Sequence, residues 1–296
     1  MPVILMILSD SRVAGNSATE RDRPARSGEP IFHQPWWLDA VAPGRWDAAT
    51  IERGGRTVAA LPFVVRGPRR LRVLLERKLP AVVVFHQNFS TSFMNCLPFI
   101  WAGYRAEFRY TYQLRDLSSE QALWAGLAGN IRREIRKATR QLEVREVSDV
   151  DRFHHVWAKT FERQGVAAPD RRRLERIDAE CAKRDARTIL FAYDEVGQVH
   201  AVAYTVRDRR TTYYLMGGGD PHLRTSGAGS LLAWEAIRRA SADSQVFDFE
   251  GSMLRPVERF FRAFGGRQTP YPHVSRATRV GGVALTIRAN AKRWAR

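Results

Sequence analysis

Residues 211–240 read TTYYLMGGGDPHLRTSGAGSLLAWEAIRRA: a β-rich run, a glycine turn and an apolar helix in direct succession. The stretch 211–216 has the β-branched and aromatic content of a strand. Gly217-Gly218-Gly219-Asp220-Pro221 breaks it. Arg224-Thr225-Ser226-Gly227-Ala228-Gly229 then opens a helix expected over 226–240. The first N–H groups of a helix have no partner inside it and sit at the positive end of its dipole. An R-x-x-G-x-G turn at that point offers bare backbone donors to a phosphate or pyrophosphate. Glycine suits it because a Cβ would hold the ligand away from the backbone. Two glycines also open helices that bind nothing, so the surroundings of the turn have to decide.

Outward from this turn, strands are expected at 187–193 and 200–206, joined by the turns DEVGQ (194–198) and RDRR (207–210). Downstream come a strand at 245–249, a helix at 256–264 stopped by Gly265-Gly266, and a strand at 271–278. Upstream, helices are expected at 150–164 and 169–183, the latter with Pro169 near its first turn. Ser118 is placed to cap a helical region that runs to about Gln141 with a break near Gly129. Its second part, NIRREIRKATR (130–140), sets Arg132, Arg133, Arg136, Lys137 and Arg140 opposite Ile131, Ile135 and Ala138. That cationic face is either a solvated surface or one that meets an anionic substrate. The earlier half reads as a helix at 33–41 and two strands, 47–53 and 57–66, turned at Gly54-Gly55. Pro62 implies a bulge or an edge there. Strands at 79–85 and 110–114 complete it.

Composition narrows the class. The chain has 296 residues, 44% hydrophobic and 27% charged, the profile of a globular protein with a real core. A net charge of +17, carried almost entirely by arginine, attracts nucleic acid, anionic lipid or phosphorylated substrates. A GC-rich genome produces the same arginine content. Cys96 and Cys181 form no C-x-x-C pair, which argues against a disulfide framework or a zinc knuckle and fits a reducing compartment. The apolar run 3–8 lacks a basic start and is too short to span a bilayer. Residues 1–30 are expected to be a mobile tail, 280–296 a basic one, and the location cytoplasmic.

Further stretches carry a resemblance. Phe247-Asp248-Phe249-Glu250-Gly251-Ser252 and Phe260-Phe261-Arg262-Ala263-Phe264-Gly265-Gly266 follow the glycine turn. Gln34-Pro35-Trp36-Trp37-Leu38, the run 97–104 (LPFIWAGY), Tyr110-Thr111-Tyr112 and the helix 132–140 precede it. Arg224 to Gly229 resembles the pyrophosphate loop of the GNAT superfamily, and the other stretches resemble its FemAB-like branch of peptidyltransferase-related acyltransferases. The resemblance covers roughly residues 31–279. It implies an α/β (α+β) tandem GNAT-like acyl-CoA N-acyltransferase fold of two mixed-sheet halves with flanking helices. The halves would be 31–117, degenerate and on the acceptor side, and 118–279, holding the loop. The cleft between halves is where the family places its pocket.

Two departures matter. The long helical arm of many FemAB-type peptidyltransferases has no counterpart here, and their Phe-Lys dipeptide is Phe261-Arg262. Arginine keeps the charge but gives up no proton, so Arg262 suits a clamp on phosphate or an oxyanion. The coenzyme would be acyl-CoA, acetyl-CoA first, held by Met216, Arg224, Thr225, Ser226, Gly227, Ala228, Gly229 and Ser230. The chemistry is direct acyl transfer to an amine or hydroxyl, in which the enzyme holds both partners, removes a proton and stabilises an oxyanion. Asp248 and Glu250 are candidate proton acceptors, although Asp248 can equally serve to orient the following turn. Tyr214 is a candidate hydroxyl donor, with packing as its plainer role. Arg132, Arg136, Trp37 and Tyr271 are candidate substrate contacts.

No histidine pair has metal spacing and no nucleophile elbow is present, so neither a metal nor a covalent acyl-enzyme is expected. The acceptor would be a small molecule, or a lipid- or nucleotide-linked precursor of envelope polysaccharide. Two alternatives remain. One is an aminoacyl-tRNA-dependent peptidyltransferase acting on a cell-wall precursor, with tRNA as donor. The other is a non-enzymatic nucleic-acid-binding protein, which would leave the glycine loop without a purpose.

Overall fold

Apolar periodicity resolves into helices and strands over residues 30–53, 56–64, 84–162 and 165–277, the parts described by a computed structural model of the chain. Among these residues, those up to Arg109 and those from Pro270 onward form one unit, and Tyr110–Thr269 the other.

In the first unit a short 3-10 turn leads into α1 (Pro35–Val41), which buries Trp37, Leu38, Ala40 and Val41. The hairpin β1 (Trp46–Arg53) and β2 (Arg56–Val64) is antiparallel, with a register shift at Ile51/Glu52 and Pro62 opposite Ala48. In a two-stranded sheet both strands are edges, so proline's missing N–H is tolerated there. β3 (Val84–Asn88) pairs antiparallel with the end of β10 (Arg267–Ala277). Between them lies α2 (Leu97–Trp101), a helix the periodicity did not reveal. The turn expected at Gly54-Gly55, most of the strand expected at 79–85 and both expected tails lie outside the described residues.

The second unit is an α/β layer structure. β4 (Arg105–Leu114) enters it at Tyr110, and α3 (Glu120–Gly126) and α4 (Gly129–Thr139) follow. The capping residue of α3 is Ser119, which accepts the Ala122 N–H at 3.2 Å. Ser118, expected in that role, instead closes a turn on Asp116. Next come β5 (Glu143–Glu146), α5 (Val150–Glu162) and α6 (Arg171–Ala182). Asp170 caps α6, so Pro169 stands just outside the helix rather than in its first turn. β6 (Arg187–Tyr193), β7 (Val199–Arg207) and β8 (Thr211–Gly219) then lead through α7 (Ala228–Asp243) to β9 (Val246–Asp248) and α8 (Arg255–Arg262).

The strand order in this unit is β4-β9-β8-β7-β6-β5. Every pair is antiparallel except β8 with β9, which the crossover helix α7 connects in parallel. β6 and β7 are buried almost throughout because helices cover both faces. Ala201 and Ala203 join the core beneath α4 and α7. Tyr204, from the other face, stacks edge-on against Phe153 of α5. β8 runs three residues past its expected end, through Gly217-Gly218-Gly219. A Cβ on Gly218 would lie 2.5 Å from Thr160 Oγ1, and one on Gly219 2.7 Å from the His200 carbonyl oxygen. These glycines let α5 and β7 approach, so they continue the strand instead of ending it.

Candidate active site

The glycine loop begins with a 3-10 turn, Arg224–Ser226, and the helix proper starts at Ala228, two residues later than expected. The hinge between them is Gly227, whose φ of 80° is left-handed. A Cβ there would also stand 2.7 Å from the Glu134 carbonyl oxygen on α4. Gly227 is thus required by its conformation and by packing, not by clearance for a ligand. Gly229 is the opposite case: it is exposed, and a Cβ would meet nothing within 4 Å. Ser226 Oγ accepts the first N–H of α7, from Ala228, at 3.3 Å, whereas among the described residues the N–H groups of Gly229 and Ser230 have no acceptor. Helix α4 steadies the loop from behind. Lys137 Nζ donates to the Thr225 carbonyl at 2.9 Å, and Ser230 Oγ donates to Glu134 Oε2 at 2.6 Å.

Beside this loop the sheet opens. β8 and β9 pair only at Thr211, Thr212 and Tyr213. Beyond that point the Phe249 N–H turns to the Tyr112 carbonyl on β4, at 3.0 Å. From Tyr214 onward the β9 side of β8 therefore has no ladder partner in β9. On its other side β8 bulges at Leu215, since Tyr204 pairs with Met216 and Thr205 with Tyr214. Tyr214 itself is built into the core, against Phe247, Phe249 and Phe261, and burial raises its pKa. Its hydroxyl abuts Gly217, where a Cβ would come within 2.3 Å of that oxygen. Met216 is buried as well.

The two carboxylates at the end of β9 have different environments. Asp248 is buried and fully engaged: Oδ1 accepts from Thr111 Oγ1 at 2.5 Å and the Glu250 N–H at 2.8 Å, and Oδ2 from Gln113 Nε2 at 2.7 Å. Burial raises its pKa against the opposing pull of those donors. It holds the turn. Glu250 sits in that turn with φ 59°, a left-handed conformation uncommon for a residue with a Cβ. Its carboxyl is half-buried and meets no hydrogen-bond donor among the described residues. Burial first, then the charge of Asp248, pushes its pKa up to about 8. The next residue, Gly251, is also left-handed, and a Cβ on it would strike the Tyr110 carbonyl oxygen at 2.2 Å.

The stretch that holds the glycine loop, the parting strands and both carboxylates matches a known domain. Residues 126–262 fit the family model described as acetyltransferase (GNAT) domain. These residues are a GNAT domain. Solved structures extend the likeness beyond it. FemX shares 13% identity at a TM-score of 0.62, over 86% of this chain and 94% of its own. A tandem GNAT protein from the clavulanic acid biosynthesis pathway, solved without AcCoA, shares 13% at 0.53, over 84% and 90%. A conserved protein of unknown function from Bacteroides thetaiotaomicron shares 13% at 0.52, over 82% and 88%. At such identities the likeness shows the fold alone, one shared with FemX and with a tandem GNAT protein. No curated protein matches the sequence.

Within the GNAT domain the remaining candidates are spread out. Arg262 is exposed and pairs with Glu258 at 3.4 Å, whose carboxylate also accepts from the Tyr112 hydroxyl at 2.5 Å. Arg132 donates to the Ala125 carbonyl at 2.9 Å, closing the end of α3, and Arg136 stacks over Trp124 at 5.7 Å. Arg224 and Thr225 are exposed. Trp37 and Tyr271 belong to the other unit. There Trp37 is buried edge-on between Phe32 and Trp36, as a packing residue, and Tyr271 is half-buried on β10. Among the described residues no group of His, Cys, Asp and Glu is placed to hold a metal, and no helix is long and apolar enough to cross a membrane.

The sequence reading missed Thr111, Gln113, Glu134 and Lys137. Thr111 and Gln113 alternate in the strand YTYQL and therefore share a face, which was a usable signal for two polar groups meeting one partner. Lys137 stood in the basic helix but was not singled out from its arginines.

Proposed function

We propose that this chain is an acyl-CoA-dependent acyltransferase that uses Glu250 to take the proton of an amine or hydroxyl acceptor. The observation that carries it is the open start of α7, where the Gly229 and Ser230 N–H groups have no partner among the described residues, after the β8 edge that β9 abandons. The residues fit a phosphorylated thioester coenzyme: the α7 N-terminus and Arg224 suit its pyrophosphate. The freed β8 edge at Tyr214 to Met216 offers backbone groups to its amide-bearing arm. Bound there, acyl-CoA would supply the activated acyl group.

The protein's own part is positioning and proton handling. Lys137 and Glu134 fix the loop, so that its donors need no reorganisation on binding. Asp248, saturated by three donors, keeps the turn that carries Glu250. With a pKa near 8, Glu250 is basic enough to accept a proton around neutral to mildly alkaline pH. The acceptor we favour is a cell-envelope or polysaccharide precursor. This rests on the resemblance of the FDFEGS and FFRAFGG stretches to the FemAB-like branch.

The test is thermal stability with acetyl-CoA and longer acyl-CoAs, for the wild type and an Arg224→Ala/Gly229→Val variant. Both positions are exposed, so the variant keeps its own melting temperature. A ligand bound only by the native state raises Tm. A rise in the wild type that the variant loses supports the coenzyme site. No rise with any acyl-CoA sinks it and moves the donor to aminoacyl-tRNA, for which the +17 charge speaks.

A further inference from the structure

The unit formed by the residues up to Arg109 and from Pro270 onward exposes an apolar tip. Phe93 is 36% exposed, Met94 49%, Leu97 50%, Ile100 48% and Trp101 77%, all within nine residues. Helix α2 buries none of its residues. Apolar surface left in water costs roughly 25 cal/mol per Å², and a contiguous patch of this kind marks a site of interaction.

The tip is firmly mounted. Phe99, the inward residue of α2, packs against Phe89 at 5.2 Å and Tyr104 at 5.8 Å, and Phe89 stacks on Phe93 at 4.4 Å. These rings cover the small core of Phe85, Cys96 and Val274. Asn95 Oδ1 accepts the Leu97 N–H at 3.2 Å, and Gly103, at φ 80°, ends the helix. Leu97, Ile100 and Trp101 follow an i, i+3, i+4 spacing and so project from one face of a fixed turn.

Charge selects the occupant. Residues 89–106 contain no Asp or Glu. Arg105 follows the helix and is exposed, and exposed Arg276 lies over the Tyr104 ring at 5.3 Å, with Nη1 3.4 Å from the Ala102 carbonyl. A second copy of this chain would bring two such arginine rims, each on a chain of +17, face to face. A neutral protein groove would leave the rim unanswered. An anionic lipid surface answers both features: it takes up leucine, isoleucine and tryptophan at the acyl boundary and places arginines among its phosphates.

We infer that α2 and its arginine rim dock the protein peripherally on an anionic bilayer, with Leu97, Ile100 and Trp101 entering the interface. This holds whether or not the GNAT domain uses acyl-CoA, so the two readings fail separately. The test is co-sedimentation of the full chain with phosphatidylcholine vesicles, with and without phosphatidylglycerol. Wild type is compared with Leu97→Ser/Trp101→Ser and with Arg105→Gln/Arg276→Gln. The expected result is salt-sensitive binding to the anionic vesicles only. Partitioning should fall about tenfold or more in the apolar variant, at an unchanged melting temperature, and fall less in the arginine variant. Equal binding by wild type and apolar variant would overturn the inference, since bulk charge alone would then explain it. So would no binding at all, or a dimer in light scattering that the apolar variant dissolves.

Discussion

Replacing Glu250 by Gln separates charge from shape at the carboxyl we assign to proton transfer. Its pKa rises from 4.5 to about 8, through burial and the neighbouring Asp248 charge. Between those two values the folded chain keeps a proton that the unfolded chain has released. Linkage then makes stability fall as pH rises across that window and level off above it. At full weight the gap is worth at most about 5 kcal/mol, at roughly 1.4 kcal/mol per pH step. The stability gap and the kinetic inflection both follow from the same pKa difference, so a smaller gap has to come with a proportionally lower inflection. Glutamine is neutral throughout, so E250Q should match the wild type near pH 4 and exceed it by up to that gap near pH 9. Urea melts across the pH range measure this directly. Activity should move the other way. The wild-type kcat/KM should climb through an inflection near pH 8, and the variant should lose that inflection and about 100-fold or more in rate. A variant whose stability tracks the wild type at every pH refutes the raised pKa. An inflection that survives the substitution refutes the assignment of the base.

Gly227→Val should cost about 3 kcal/mol or more, because it meets both a left-handed φ and the Glu134 carbonyl oxygen at 2.7 Å; a melting curve within a degree of the wild type would contradict that packing. Asp248→Asn should cost about 2–3 kcal/mol, since an amide nitrogen must then face one of three donors, and denaturant titration reads it. Lys137→Met should leave Tm within about 0.5 kcal/mol of equivalent stability, as its bond to the Thr225 carbonyl is exposed. It should nonetheless weaken acyl-CoA binding severalfold, which calorimetry would measure.

The second unit was legible because its strands alternate with long amphipathic helices. Leu190 and Ala192 on one face and Ile189 and Phe191 on the other made β6 readable as a strand covered on both sides. The triple glycine was misread as a turn because its cause is tertiary: Thr160 and His200 lie against it, 59 and 19 residues away in sequence from Gly219. The short helix α2 was invisible because five residues give little more than one turn, too short a window for a periodicity reading. At the site, the loop was evident from R-x-x-G-x-G, but the reason for Gly227 was not. Its constraint comes from a carbonyl on α4, and no local pattern carries that. The division of labour between Asp248 and Glu250 was likewise hidden, because it depends on which carboxylate the donors of β4 can reach.

That division also explains why the turn after β9 is tolerated at all. Two consecutive left-handed residues, Glu250 and Gly251, leave one non-glycine residue in a conformation that costs about 1 kcal/mol or more. The Tyr110 carbonyl forbids relaxing Gly251 toward a side-chain-bearing residue, and the Asp248 carboxylate holds the Glu250 N–H in place. With Asp248 consumed by Thr111, Gln113 and that N–H, the donors that would normally lower a carboxyl pKa are spent on the wrong residue for Glu250. Glu250 is left to feel burial and a like charge, and both push its pKa upward. The strain therefore has a chemical consequence: it projects a carboxyl that has no hydrogen-bond donor among the described residues from the end of a strand that parts from β8. Relaxing it by Glu250→Gly should stabilise the fold while abolishing proton transfer, the trade expected of a turn kept for chemistry rather than for packing.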